Sequence, residues 1–135
     1  METYRTRAEK LKGTDYHEVY IKAIAVYKLI KSKSKRRPYI RSAYFKSDKV
    51  FLELFWRHLD QKHWQDRLRR MKFFPCALEL IKKSQLKPMS KINPNKNSEI
   101  LHRFAGMTPD RSVFFVQIKE DIKKQQKWFI STFPK

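Results

Sequence analysis

The residues best suited to chemistry lie on three short segments in the last third of the sequence. They are a histidine, two cations, a carboxylate and two hydroxyls: His102, Arg103, Lys119, Glu120, Ser131 and Thr132. Cleavage of RNA without a metal ion needs a base for the 2′-hydroxyl, an acid for the leaving oxygen and cations for the phosphorane charge. His102 can serve as acid or base near neutral pH, and Glu120 is a possible base. Arg103 and Lys119 can hold phosphate, and either hydroxyl can donate a hydrogen bond.

Each of these residues also has an ordinary structural explanation. A lone histidine in a strand is often half-buried with its hydrogen bonds satisfied, and Lys119 followed by Glu120 can be a solvated strand end. Arg103 can simply pair with Glu99 or Asp121. The two hydroxyl residues can be strand formers and nothing more. Catalysis at these positions is therefore a hypothesis that competes with a structural role.

A second group of candidates consists of basic residues suited to phosphate contacts. Seven cations and no acid occur between Lys28 and Arg41, and a second acid-free stretch covers residues 85–98. Interleaved aromatic residues favour a nucleic-acid groove over a merely solvated helix end. The predicted nucleic-acid contacts are Lys33, Lys35, Arg36, Arg37, Tyr39, Arg41, Lys87, Lys91 and Lys96.

Three strands must position the candidate catalytic residues. Residues 99–135 contain three runs with a period of two, joined by the turn signal at Pro109–Asp110 and by a charged loop, which predicts an antiparallel meander. In the middle strand Phe114 and alternate residues should face helices, and Phe115 and its alternates should face outwards. A shift of one residue exchanges the faces, so the pattern leaves open whether His102 or Arg103 joins Lys119.

The preceding residues are predicted to be helical. Asp15 can cap a first helix, a second starts near Ser47, a third near Trp64, and Pro75 either kinks the third or opens a fourth. The predicted fold class is α+β, with N-terminal helices packed on a small C-terminal antiparallel sheet. Within one domain, 1–135, the predicted parts are a basic helical extension (1–47), core helices (48–84), a basic loop (85–98) and the sheet (99–135).

The composition indicates a polyanionic partner. Lys and Arg number 32 against 13 Asp and Glu, which gives a formal charge of +19. So large an excess creates a long-range positive electrostatic field. The partner best suited to such a field is a phosphate backbone, which releases its counterions on binding. Two glycines argue against phosphate-binding loops, and one cysteine with four scattered histidines predicts no metal and no cofactor. The sequence has neither an 18-residue apolar run nor an apolar signal core, so no membrane role and a cytoplasmic setting are expected.

The segment SEILHRFAGMTPDRSVFFVQIKEDIKKQQKWFISTFP resembles the nuclease core of the Barnase–EndoU–colicin–RelE superfamily. The motifs that carry the resemblance are LHRFAGMTP, VQIKED and the final STFP, within the last third of the chain. The resemblance implies helices against a small antiparallel sheet and active residues on the exposed sheet face.

The leading hypothesis is a toxin-like, metal-independent endoribonuclease that cuts tRNA, mRNA or rRNA through 2′-hydroxyl attack. So positive a toxin would be neutralised by an acidic antitoxin or immunity protein. The alternatives are a non-catalytic nucleic-acid-binding protein of a mobile element and a ribosome-associated basic protein. Candidate residues that meet around one cleft would favour the enzyme, and residues on different faces would favour the binding protein.

Overall fold

The structure, a computed structural model, describes residues 2–135. These residues form four helices and seven strands. In chain order they are β1 (Thr3–Arg5), α1 (Tyr16–Lys33), β2 (Tyr39–Ser42), β3 (Asp48–Phe51), α2 (Glu53–Asp60), α3 (Trp64–Met71), α4 (Phe74–Lys83), β4 (Met89–Ile92), β5 (Glu99–Met107), β6 (Val113–Asp121) and β7 (Gln126–Pro134). Within this part of the chain, no helix is both long enough and apolar enough to cross a membrane.

All seven strands belong to one curled, mixed sheet that resembles half a barrel. Its order is β1-β5-β6-β7-β3-β2, and β4 pairs with the part of β5 that β1 leaves free. The β1–β5 and β3–β7 pairs are parallel, and the other pairs are antiparallel. The N-terminal half of the chain therefore extends both sides of the C-terminal meander.

The predicted fold class is wrong, although the antiparallel meander of β5, β6 and β7 is present. The helices do not pack on a small antiparallel sheet, because four further strands enlarge the sheet and two of their pairings are parallel. Each of these strands has only three or four residues. So short a strand gives almost no period-two signal in the sequence.

The predicted start of the second helix near Ser47 falls in a β-hairpin. Lys46 and Ser47 have positive φ values of 54° and 70°, which close a tight turn between β2 and β3. Helix α2 begins only at Glu53. Strands also occur in the predicted helical extension 1–47 (β1 and β2) and in the predicted loop 85–98 (β4).

The other helix predictions are confirmed at their starts. The Asp15 carboxylate accepts a hydrogen bond from the Glu18 backbone N–H at 3.2 Å and caps α1. Helix α3 begins at Trp64, and Pro75 lies in the first turn of the separate helix α4. A proline costs little there, because the first backbone N–H groups of a helix have no intrahelical acceptor.

The core lies between the helices and one face of the sheet, which we call the covered face. Phe114, Val116 and Ile118 of β6 are buried on this face, as the alternation predicts. Phe129 of β7 stacks on Phe55 of α2 with ring centroids 4.7 Å apart. Packing of this kind fixes the sheet against the helices and leaves its other face available.

The Glu79 carboxylate of α4 ties the N-terminal segment to the core. It accepts hydrogen bonds from Tyr4 Oη at 2.9 Å and from the backbone N–H groups of Arg7 and Ala8 at 2.8–3.1 Å. Burial raises the pKa of the Glu79 carboxyl, but the two backbone donors, Tyr4 and Lys83 lower it by more, so the pKa lies below its ordinary value. The ionised carboxylate is therefore part of the folded structure.

Glu79→Gln should lower the free energy of unfolding by about 1–3 kcal/mol at pH 7, because one neutral amide oxygen replaces the two charged oxygens that accept from Tyr4, Arg7 and Ala8. A carboxyl with a depressed folded pKa stabilises the fold above its unfolded pKa, roughly 4.3, and loses that contribution as the pH falls through the folded pKa. The difference between wild type and variant should thus shrink below about pH 4. Urea unfolding at several pH values measures it, with exposed Glu9→Gln as the control. Equal stability of the two variants at pH 7 would contradict the prediction.

Candidate nucleic-acid interface

The register of the sheet divides the predicted catalytic residues between its two faces. Arg103 lies opposite Gln117, which lies opposite Ser131, and Lys119 shares their face. This face, which also carries Trp128, is called the open face below. His102, Glu120 and Thr132 belong to the covered face. The structure therefore places Arg103 with Lys119 and separates both from His102.

A β-bulge in β7 sets which hydroxyl reaches the open face. Ile118 pairs with Phe129 and Gln117 pairs with Ser131, so Ile130 is an extra residue. Simple alternation groups Ser131 with Phe129, whereas the bulge moves Ser131 to the open face. Thr132 is fully buried, and its hydroxyl donates to the Phe115 carbonyl at 2.9 Å. A ligand has no access to the Thr132 hydroxyl.

Cations lie over the aromatic rings of the open face. Of the nine cation–π contacts among residues 2–135, seven belong to this face, and they join six cations to five rings. The pairs are Arg37 on Phe51, Arg41 and Lys49 on Tyr39, Arg70 on Phe133, Arg103 on Phe115 and Phe133, and Lys119 on Trp128. The negative face of each ring attracts the cations above it and restrains their side chains.

Hydrogen bonds orient the two arginines at the centre of the open face. With its carboxamide oxygen turned towards Arg103, Gln117 accepts from Arg103 Nε at 3.2 Å and from Nη2 at 2.8 Å. Arg70, which reaches over from α3, donates from Nη1 to the Ser131 hydroxyl at 2.8 Å. Its Nε donates to Asp66 at 3.0 Å. The guanidinium planes are thus fixed before any ligand arrives.

Lys119 lies 5.0 Å from the Trp128 ring and 3.7 Å from the Glu99 carboxylate. Burial raises the pKa of Glu99, but the Asn93 hydrogen bond and the charges of Lys119 and Lys96 lower it below its ordinary value. The pKa of His58 is lowered by burial and then by Lys119 and Lys62. The Lys119 charge thus lowers the pKa of both groups, which is the direction expected beside a cation, and burial is the larger cause at His58.

The β2–β3 hairpin extends the open face on the side of β7 that lies away from β6. Tyr39 lies opposite Phe51 and Arg41 opposite Lys49, and Phe51 lies beside Trp128. Lys49 is 4.7 Å and Arg41 is 5.5 Å from the Tyr39 ring. The remaining predicted nucleic-acid contacts are all exposed: Lys33, Lys35 and Arg36 before β2, Lys91 on β4, and Lys87 and Lys96 on either side of β4.

His102 belongs to a hydrogen-bonded network on the covered face. Its Nδ1 lies 2.6 Å from the Ser90 hydroxyl and its Nε2 lies 2.8 Å from Glu120 Oε1. A carboxylate only accepts, so Nε2 carries a proton and donates it to Glu120. The Phe45 ring covers the imidazole with centroids 5.0 Å apart. Both ring nitrogens are satisfied, and the His102 side chain is only 9% exposed.

Glu120 also lines a cleft at one end of the strands. Lys127 lies 3.4 Å from Glu120 Oε2 and donates to Asp48 at 2.8 Å. The cleft has a volume of about 730 Å³ and runs between the β2–β3 hairpin and the loop that joins β6 to β7. Its charged lining residues are Arg41, Asp48, Lys49, Glu120, Lys124 and Lys127. It places the partly exposed Glu120 carboxylate, which the buried His102 contacts from behind, beside several cations.

Several residues of these two sites were not predicted from the sequence. Arg70 lies on a helix, and nothing in its spacing points to the sheet. Lys49 and Phe51 were included in a predicted helix, although the alternation of aromatic and basic residues over Tyr39–Phe51 could have indicated a hairpin. Nothing in the sequence around Lys127 and Ser90 distinguishes them from other strand residues. Only the strand register shows that they lie beside Glu120 and His102.

No protein-family model, no curated protein and no solved structure matches this chain. Evidence on its function therefore comes from its own residues and their geometry.

Proposed function

We propose that this protein binds RNA across the open face of its sheet. The observation that carries the proposal is the set of six cations held over five aromatic rings on one continuous face. A sheet that combines oriented cations with rings suits a ligand that has both phosphates and bases. The formal charge of +19 supports the same class of ligand.

The pairing of charges supports phosphate as the natural partner of this face. Glu53 pairs with Arg37 and Glu99 pairs with Lys119, so two of the six cations have carboxylate neighbours. A third, Arg70, pairs with Asp66. The remaining three, Arg41, Lys49 and Arg103, contact no carboxylate among residues 2–135, and a phosphate can satisfy them. Release of counterions from the RNA then drives association.

Replacing Arg41, Lys49 and Arg103 together by Gln should weaken RNA binding at least about tenfold near 0.1 M salt, because three phosphate contacts are lost. The matched control replaces Lys12, Lys82 and Lys83 by Gln, which removes the same charge from exposed positions before α1 and on α4. Fluorescence anisotropy with a labelled RNA oligonucleotide measures both affinities. Equal losses in the two variants would mean that binding depends on net charge and not on this face.

A second candidate function, metal-independent cleavage of RNA, is favoured by the geometry around Glu120. Its carboxylate is oriented by His102 Nε2 at 2.8 Å and reaches a cleft lined by Arg41, Lys49 and Lys127. A carboxylate base beside cations meets two of the three needs of 2′-hydroxyl attack. In this toxin-like function, an acidic antitoxin would have to cover the cleft or the open face.

A further inference from the structure

We propose that the open face recognises single-stranded RNA by stacking bases on two separate aromatic–guanidinium groups, and that it discriminates against duplexes. This inference rests on the proposed RNA binding and specifies the ligand of the same face. The first group consists of Phe115 and Phe133 with Arg103, and the second of Tyr39 and Phe51 with their cations.

The first group is a preformed platform. Phe115 and Phe133 lie on neighbouring strands with ring centroids 5.6 Å apart, and both are only partly buried. The Arg103 guanidinium lies 5.7 Å and 5.4 Å from the two centroids, and Gln117 fixes it from the side. Arg103 is itself exposed. A base can therefore stack on the guanidinium plane or on the partly exposed rings.

The second group repeats this arrangement on the β2–β3 hairpin. The Arg37 guanidinium lies 4.6 Å from the Phe51 centroid, and Tyr39 meets Phe51 edge-on at 6.3 Å. Lys119 on the Trp128 ring lies between the two groups and offers a charge for the backbone that joins two stacked bases. Lys119 lies four positions after Phe115 on β6, about 13 Å along the strand. The two groups are thus far enough apart to hold different bases of one strand.

A duplex cannot use these groups, because its bases are already stacked inside the helix and present only edges in the grooves. If phosphate contacts alone decided affinity, a duplex with its higher charge density would bind at least as tightly as a single strand of the same length. The preference between the two ligands therefore separates stacking from simple charge attraction.

The test measures anisotropy at one salt concentration with an oligouridylate of about 12 nucleotides and an RNA duplex of the same length. The single strand should bind at least about tenfold more tightly. Phe115→Leu/Phe133→Leu should weaken single-strand binding about 5- to 150-fold, the effect of losing one stacked base, and change duplex binding less than about twofold. Tyr20→Leu, which removes a partly exposed ring from α1, is the matched control.

A second variant keeps the test decisive if the double leucine variant fails to fold. Arg103→Lys preserves the charge but loses the planar group, so it should weaken single-strand binding several-fold and leave duplex binding unchanged. Duplex binding as tight as single-strand binding, or equal losses for both ligands in these variants, would overturn the stacking inference and leave the proposed function intact. Failure of the wild type to bind either RNA would overturn both.

Discussion

Raising the salt concentration from 50 to 200 mM should weaken binding to single-stranded RNA about 250-fold. Each phosphate that a cation neutralises contributes roughly −0.7 to the slope of log affinity against log salt, so six cations give a slope of about −4. The six are those that lie over the rings of the open face. Anisotropy titrations at four or five salt concentrations measure this slope.

The two triple Gln variants test whether the salt dependence of RNA binding comes from the open face. Arg41→Gln/Lys49→Gln/Arg103→Gln should reduce the slope by about 2, because three phosphate contacts are lost. Lys12→Gln/Lys82→Gln/Lys83→Gln should leave it within about 0.5 of the wild-type value. A wild-type affinity that does not change with salt would remove the electrostatic basis of RNA binding by this protein.

The sequence predicted long elements well and short ones poorly. The period of two in β5, β6 and β7 extends over nine residues in each strand, which is enough to specify a meander but not which residues of neighbouring strands share a face. Strand β3 has four residues, and Val50 and Phe51 fit a helical stripe with Leu54 and Phe55 equally well. The turn at Lys46 and Ser47 makes this segment a strand and not the start of a helix. Neither residue type requires a positive φ, so the sequence does not indicate the turn.

The candidate catalytic site could be predicted only as a set of strand residues. Three adjacent pairs supply the candidates, and neighbours in a strand point to opposite faces, so the side chains of His102 and Arg103 cannot both belong to the same face of the sheet. Pairing between strands, which depends on register, then decides that Arg103 joins Lys119. The bulge at Ile130 adds a shift that no pattern in KWFISTF indicates.

The division of the candidate residues between the two faces of the sheet explains why RNA binding and RNA cleavage are separate proposals. Arg103 and Lys119 lie on the open face with the rings, whereas Glu120 and His102 lie on the covered face, where Glu120 lines the cleft and His102 is buried behind it. Arg41 and Lys49 connect the two, because they lie over Tyr39 on the open face and also line the cleft. An RNA strand bound across the open face would pass the Glu120 cleft at this hairpin.

Glu120→Gln should lower RNA cleavage about 100-fold or more and leave RNA affinity within about twofold, because an amide cannot take the 2′-hydroxyl proton but keeps the size of the side chain. Wild-type cleavage should persist in EDTA and leave 2′,3′-cyclic phosphate ends, since the 2′-hydroxyl is the nucleophile. Gel analysis of a labelled RNA, with end-group mapping, measures rate and products.

Glu53→Gln, which neutralises a carboxylate paired with Arg37, is the control and should cleave like wild type. Full activity of Glu120→Gln would contradict the assignment of the base, and loss of cleavage in EDTA would contradict the mechanism. A wild type that binds RNA tightly and never cuts it would leave binding as the function of this fold.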